Sequence, residues 1–178
     1  MSALLTPNPP TKQQGMVSQY LIFSLGGELF AVGTLRVREI IEYGNITNVP
    51  MMPGFIRGVI NLRGAVVPVI DLNARFGRAK TDISRRTCIV ILEVRSEEDT
   101  HVLGIIVDTV SAVRQIDGSN IEPAPSFGTR IRADFIDGMA KVNGSFVILL
   151  DLGKVLSVDE ISMIHGLGHN HAAHHIEE

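Results

Sequence analysis

The chain has 178 residues, 45% of them apolar and 20% charged, with a formal net charge of −3. That length suits one ordinary domain or two very small ones, and roughly 70% of the unfolded chain's surface is buried in a body of this size. The charge balance and an aromatic fraction of 5% without tryptophan exclude a general nucleic-acid binder, which needs a basic surface and stacking rings, and no run nears the ~20 apolar residues of a membrane span.

Residues 1–18 hold three prolines and little apolar material, the composition of a mobile leader. No basic stretch followed by an apolar one precedes the body, so no signal peptide is read and the expected compartment is cytoplasmic. From Tyr20 the run YLIFSL, the pair Gly26-Gly27 and the run ELFAV form a hairpin signal, because two glycines supply the positive φ angles of a tight turn. The stretch TLRVREIIEY, residues 34–43, is too short for periodicity to decide between one or two helical turns and an irregular crossing segment. Pro50 and Pro53 then lead into FIRGVINLRGAVVPVIDL, residues 55–72.

That segment returns at 135–152 as FIDGMAKVNGSFVILLDL, identical at Phe55/Phe135, Ile56/Ile136, Gly58/Gly138, Gly64/Gly144, Val67/Val147, Asp71/Asp151 and Leu72/Leu152. Arg63-Gly64 and Asn143-Gly144 occupy the turn, and Asn-Gly is among the strongest hairpin signals. Between the copies, RTCIVILEV pairs with HVLGIIVD across RSEED, followed by VSAVRQI, Pro123 and Pro125. Each half thus reads hairpin, connector, proline loop, hairpin. Strands this apolar need cover on both faces, which predicts a mainly all-β fold of two packed five-stranded barrels, joined near 77–86, with short helices. Pro68 belongs at an edge or bulge because it cannot donate to a ladder. Val155, Leu156, Val158, Ile161, Met163 and Ile164 outline a C-terminal helix, and 166–178 reads as a His-rich disordered tail.

The residues offer no catalytic constellation. Asp71 and Asp151 are repeat equivalents, as in two-lobed aspartic proteases, but Asp71-Leu72-Asn73, Asp151-Leu152-Gly153 and Asp108-Thr109-Val110 lack the Asp-Thr/Ser-Gly turn; they read as strand-end aspartates accepting backbone N–H bonds. No nucleophile elbow or phosphate loop occurs, and His101 stands alone before residue 165. Cys88, the one cysteine, reads as a buried small hydrophobe. His169, His171, His174 and His175 have the spacing of an opportunistic metal-binding tail, and no metal or cofactor is expected. Arg75, Arg78, Lys80, Arg85 and Arg86 read as a solvated linker.

GVINLRGAVVPVIDL after FIRG, with YLIFSLGGELFAVGTLRVREIIEYGNITNVP before it and VLGIIVDTVSAVRQI and IEPAPSFG after it, is similar to the CheW-type chemotaxis coupling proteins over residues 19 to about 160. The resemblance implies a stand-alone domain over 19–165, made of two SH3-like barrels and without enzymatic activity. It implies a scaffold joining the cytoplasmic tips of methyl-accepting chemoreceptors to the CheA histidine kinase through the kinase's related domain, in arrays at the membrane without inserting there; the alternative is a similar adaptor of a non-chemotaxis receptor–kinase complex. It further implies receptor contacts at Arg63 and Glu39, and a groove lined by Leu21, Val37, Ile40 and Val110, with Thr34 in place of an aliphatic and Gly58 permitting close approach. Their chemistry alone leaves the apolar groove residues equally open to plain core burial. The kinase-facing residues are not assigned.

Overall fold

The computed structural model describes residues 17–95, 99–123 and 133–155. The leader up to residue 16, the tail after Val155 with its histidines, and the helical face expected beyond that point lie outside the described residues. Eleven strands appear within them: β1 Val17–Leu25, β2 Glu28–Gly33, β3 Val37–Glu42, β4 Ile56–Leu62, β5 Ala65–Asp71, β6 Cys88–Arg95, β7 Thr100–Val107, β8 Thr109–Asp117, β9 Ile121–Glu122, β10 Ile136–Val142 and β11 Ser145–Leu150; two short helices are α1 Leu72–Arg75 and α2 Leu152–Val155.

The glycine-turned hairpins form as expected. Gly26 and Gly27 have φ of 57° and 85°, Arg63 and Gly64 52° and 89°, Asn143 and Gly144 53° and 83°; two successive positive φ angles match the right-handed twist of the flanking strands. The hairpin across RSEED forms too, from Cys88↔Val107 to Arg95↔Thr100.

The chain is mostly β and makes two sheets, ordered β8-β1-β2-β11-β10-β9 and β3-β6-β7-β5-β4. Each curls toward closure. Thr47, downstream of β3, pairs with Val59 of β4 through N–H···O bonds of 2.8 and 2.9 Å, and β9, downstream of β8, pairs with β10. This is the expected two-barrel architecture with a different assignment of chain to barrel. The β1–β2 hairpin joins the second copy of the repeat, through parallel pairing of β2 with β11; the β6–β7 hairpin joins the first, through parallel pairing of β5 with β7. The two halves have exchanged their opening hairpins. Residues 77–86, expected to join one barrel to the other, instead connect two elements of the same barrel.

Three other expectations are corrected. The 34–43 stretch is a 3-10 turn, Thr34–Arg36, followed by strand β3; its half-buried Val37, Glu39 and Ile41 alternate with exposed Arg38, Ile40 and Glu42, and pairing with β6 decides what periodicity could not. Pro68 sits in an interior strand, not at an edge or bulge, paired with Val59 of β4. The ladder to β7 begins only at the next residue, Val69, so no donor is missing. Arg75 and Arg78 are not solvated: Arg75 lies 5.1 Å from the Phe55 ring and 5.0 Å from Phe135 and donates from Nε to the Val155 carbonyl at 2.7 Å, while Arg78 pairs with Glu28 and packs over Phe30 and Phe76.

Three apolar clusters explain why the strands carry so few polar positions. Each barrel has its own core, around Ile22, Ala31 and Leu149 in one and Val69, Ile89 and Ile106 in the other. The largest cluster takes the alternate residues, among them Phe23, Phe30, Val90, Leu92 and Ile105, and forms the seam between barrels. Rings of Phe23, Phe30, Phe76 and Phe135 follow one another through it at centroid spacings of 6.1, 5.7 and 6.0 Å.

Candidate functional site

The turn between β4 and β5 presents Arg63 at the tip of a stiff hairpin. Asn61 Oδ1 accepts from Gly64 N at 2.9 Å, satisfying a backbone donor that the turn leaves open. The Arg63 guanidinium, 71% exposed, pairs with the Glu39 carboxylate, 30% exposed. β3 and β4 are the two edges of their sheet, so this ion pair spans the barrel's closing edge. An exposed pair of this kind adds about 0.2–1 kcal/mol to stability; its stronger effect is on geometry, since it holds a planar fork of donors in one orientation.

The remaining predicted site residues separate into surface and support. Ile40, next to Glu39, is 42% exposed and available for contact. Thr34 is half-buried and its hydroxyl donates to the Gln19 carbonyl at 3.4 Å. Val37 and Val110 are half-buried against the seam cluster, which also contains Leu21. Leu21 itself is 3% exposed and is core, not groove lining, because its side of β1 faces the seam. Gly58 also acts inside the fold. A Cβ there would lie 2.2 Å from the Thr47 carbonyl oxygen, at a φ of 152°, so only glycine admits the closing strand. Gly138, its repeat partner, admits β9 the same way: a Cβ would meet Ile121 Cγ2 at 2.5 Å and the Glu122 oxygen at 3.1 Å.

The bulges align the two barrels residue by residue. β3 steps from Val37↔Leu92 to Glu39↔Ile91, and β8 steps from Val110↔Phe23 to Ala112↔Ile22. Val37 therefore corresponds to Val110, and Glu39 to Ala112. The second barrel lacks both members of the Arg63–Glu39 pair.

Sequence reasoning missed a buried network at the other end of the same hairpin, where β4 begins and β5 ends. Asp71 is fully buried. Its carboxylate accepts from Arg57 at 2.7 Å, from the Thr81 backbone at 2.9 Å and hydroxyl at 2.8 Å, and from Ala74 N at 3.4 Å. Burial alone would raise its pKa, but these donors outweigh burial and hold it below the ordinary carboxylate value. Arg57, one residue before the glycine of FIRG, was the available signal. In the second copy Asp137 stands at that position. Asp137 and Asp151 line a cleft of about 400 Å³ with Tyr20, Arg36, Glu93 and Arg95, and burial, then the Asp137 carboxylate, raises the Tyr20 phenol. Cys88 is half-buried; burial, then Glu42, pushes its thiol up, which disfavours the reactive thiolate.

Among the described residues no group of three or more His, Cys, Asp or Glu is placed to hold a metal ion, and no helix is long and apolar enough to cross a membrane.

A family model described as the CheW-like domain matches residues 19–160. The chain is 33% identical over 153 residues to the chemotaxis protein CheW of Klebsiella aerogenes, covering 86% of this chain and 90% of that one, and 32% identical over 142 residues to CheW of Rhizobium meliloti, covering 80% and 89%. Among solved structures, the scaffolding protein TtCheW from Thermoanaerobacter tengcongensis superposes with a TM-score of 0.73 at 35% identity, covering 86% of this chain and 96% of that one. Matching in sequence, in strand architecture and over nearly its whole described length, the chain belongs to the CheW-like domain family.

Proposed function

We propose that this protein is a chemotaxis adaptor that couples methyl-accepting chemoreceptors to the CheA histidine kinase, without catalysis of its own. Relatives named as chemotaxis proteins and a structural neighbour titled a scaffolding protein support the reading. The observation that carries it to a site is the exposed Arg63–Glu39 pair on a rigid hairpin tip, present in one barrel only. Arg63, Glu39 and Ile40 form the receptor contact, with Thr34, Val37 and Val110 at its margin and Leu21 and Gly58 supporting it from within. Recruitment to membrane-associated arrays then follows from receptor binding.

The test is a reconstituted kinase assay with CheA and receptor-containing membranes. The protein is expected to produce ligand-sensitive stimulation of autophosphorylation. Arg63→Glu, which sets a carboxylate against Glu39, should lower receptor affinity at least tenfold while moving stability by no more than about 1 kcal/mol, the scale of an exposed pair. Unchanged receptor binding by that variant removes Arg63 from the interface, and absence of stimulation by folded, kinase-bound protein refutes the coupling role.

A further inference from the structure

Residues 78–86 pose a question that the adaptor reading does not absorb. They connect α1 to β6 within one barrel, so they have no interdomain distance to span. They are nevertheless held firmly. Thr81, 5% exposed, is bonded through its backbone N and hydroxyl to Asp71 and through its carbonyl to Arg57, at 2.9, 2.8 and 3.2 Å, and its hydroxyl accepts from Asn73 at 2.9 Å. Downstream, Ser84 N donates to Thr87 Oγ1 at 2.8 Å, Thr87 N to the Ser84 carbonyl at 3.2 Å, and Arg86 N to Ser84 Oγ at 3.1 Å. From this frame Lys80, Arg85 and Arg86 project into solvent and make no ion pair among the described residues. Asp82 is the single acid between them, and the whole chain carries a net charge of −3. Ile83, 44% exposed, gives the patch one apolar centre.

We infer that the loop 80–86 is a second docking surface, taking an acidic segment of a protein partner. Three exposed cations on an anchored loop, unpaired among the described residues, complement carboxylates in charge, and the anchoring means little conformational entropy is lost on binding. A membrane surface suits it less well: stable attachment to anionic lipid takes four or more clustered basic residues or two separate signals, and here an aspartate interrupts three. β5 runs from the Arg63 tip to Asp71, which anchors the loop, and at ~3.3 Å per residue its length is about 20 Å. The two surfaces therefore lie at opposite ends of one barrel and can be occupied together. This inference stands whether or not the receptor contact is at Arg63.

The test measures binding of a fluorescent octaglutamate peptide to the full chain by anisotropy. The triple variant Lys80→Glu, Arg85→Glu, Arg86→Glu should weaken binding at least tenfold. The charge-matched set Arg36→Glu, Arg95→Glu, Arg114→Glu should change it less than twofold. Wild-type affinity should fall as salt rises, because the screening length shrinks from ~10 Å at 0.1 M to ~3 Å at 1 M. Glutamine at the three loop positions keeps the test valid should charge reversal impair folding, and should also abolish the salt dependence. Equal losses from both triple sets would reduce the effect to net charge and overturn the inference. So would failure of the wild type to bind the peptide, or tighter binding to phosphatidylserine vesicles than to the peptide.

Discussion

Replacing Asp71 with asparagine tests whether the buried network at the far end of the β4–β5 hairpin is structural. The substitution keeps the side chain's shape but removes the charge and turns one acceptor oxygen into a donor. It then faces Arg57, whose Nε is already buried without a hydrogen-bond partner among the described residues and whose side chain is only 20% exposed. Leaving one member of a buried ion pair uncompensated costs about 3–5 kcal/mol. For a chain of this size, 1 kcal/mol shifts the melting midpoint by roughly 2–4 °C, so the expected drop is about 6–20 °C in a thermal melt at neutral pH. Asp151→Asn is the internal control. Asp151 is half-buried and its position lacks an arginine, so the cost there should stay within about 1 kcal/mol. The pH dependence has a definite sign. With the folded pKa below its ordinary value of 3.8, Asp71 stabilises the fold above that pH and loses its contribution as pH falls through the lower, folded value. Wild type should therefore lose its advantage over Asp71→Asn in acid. Equal costs at the two aspartates, or a loss below about 1 kcal/mol at Asp71, would refute this account.

Gly58→Ala should destabilise more than Gly138→Ala, because the first drives a Cβ to 2.2 Å from the Thr47 carbonyl oxygen at positive φ, while the second meets Ile121 Cγ2 at 2.5 Å and the Glu122 oxygen at 3.1 Å without that backbone strain; overpacking costs of about 1–3 kcal/mol, or more at Gly58, are expected in urea unfolding. Arg75→Met retains the stem but loses the bond to Val155 and the cation over Phe55 and Phe135, a loss of about 1–3 kcal/mol where a solvated linker residue would show none.

Local chemistry was legible and long-range pairing was not. The positive-φ turns at Gly26-Gly27, Arg63-Gly64 and Asn143-Gly144, the hairpins they close and the repeat itself are written in residues a few positions apart. The exchange of opening hairpins is not, because strands apolar on both faces suit either barrel equally; parallel pairing of β2 with β11 and of β5 with β7 selects between them. Strand β3 was hidden for a related reason: its edge position leaves one face exposed, so the apolar alternation is diluted by Arg38, Ile40 and Glu42. At the site, Arg63 and Glu39 could be picked out by resemblance, but their pairing depends on closure of the barrel. Leu21 and Gly58 carry the same resemblance yet act inside the fold. Arg75 read as solvated charge and Arg57 drew no reading at all, because only the folded chain brings two phenylalanine rings to the first and Asp71 to the second.

The exchange also explains how a duplicated fold can serve an asymmetric task. Each barrel borrows a hairpin from the other half, and the seam around Phe23, Phe30 and Leu92 takes residues from both sheets, so neither barrel can turn against the other without disrupting that shared packing. Two copies of one hairpin are thereby fixed at a set geometry, and divergence at their exposed positions is free to proceed without disturbing the frame. Val37 and Val110 show what is retained: both pack against the seam from equivalent bulges. Glu39 and Ala112, like Arg63 and Asn143, show what has diverged. Asparagine keeps the turn, with its φ of 53° against 52° for arginine, and gives up only the charge. An arginine in the second copy would face an alanine where the first presents a carboxylate, and would gain no fixed orientation. Only the first barrel therefore has both the fork and the carboxylate that aims it.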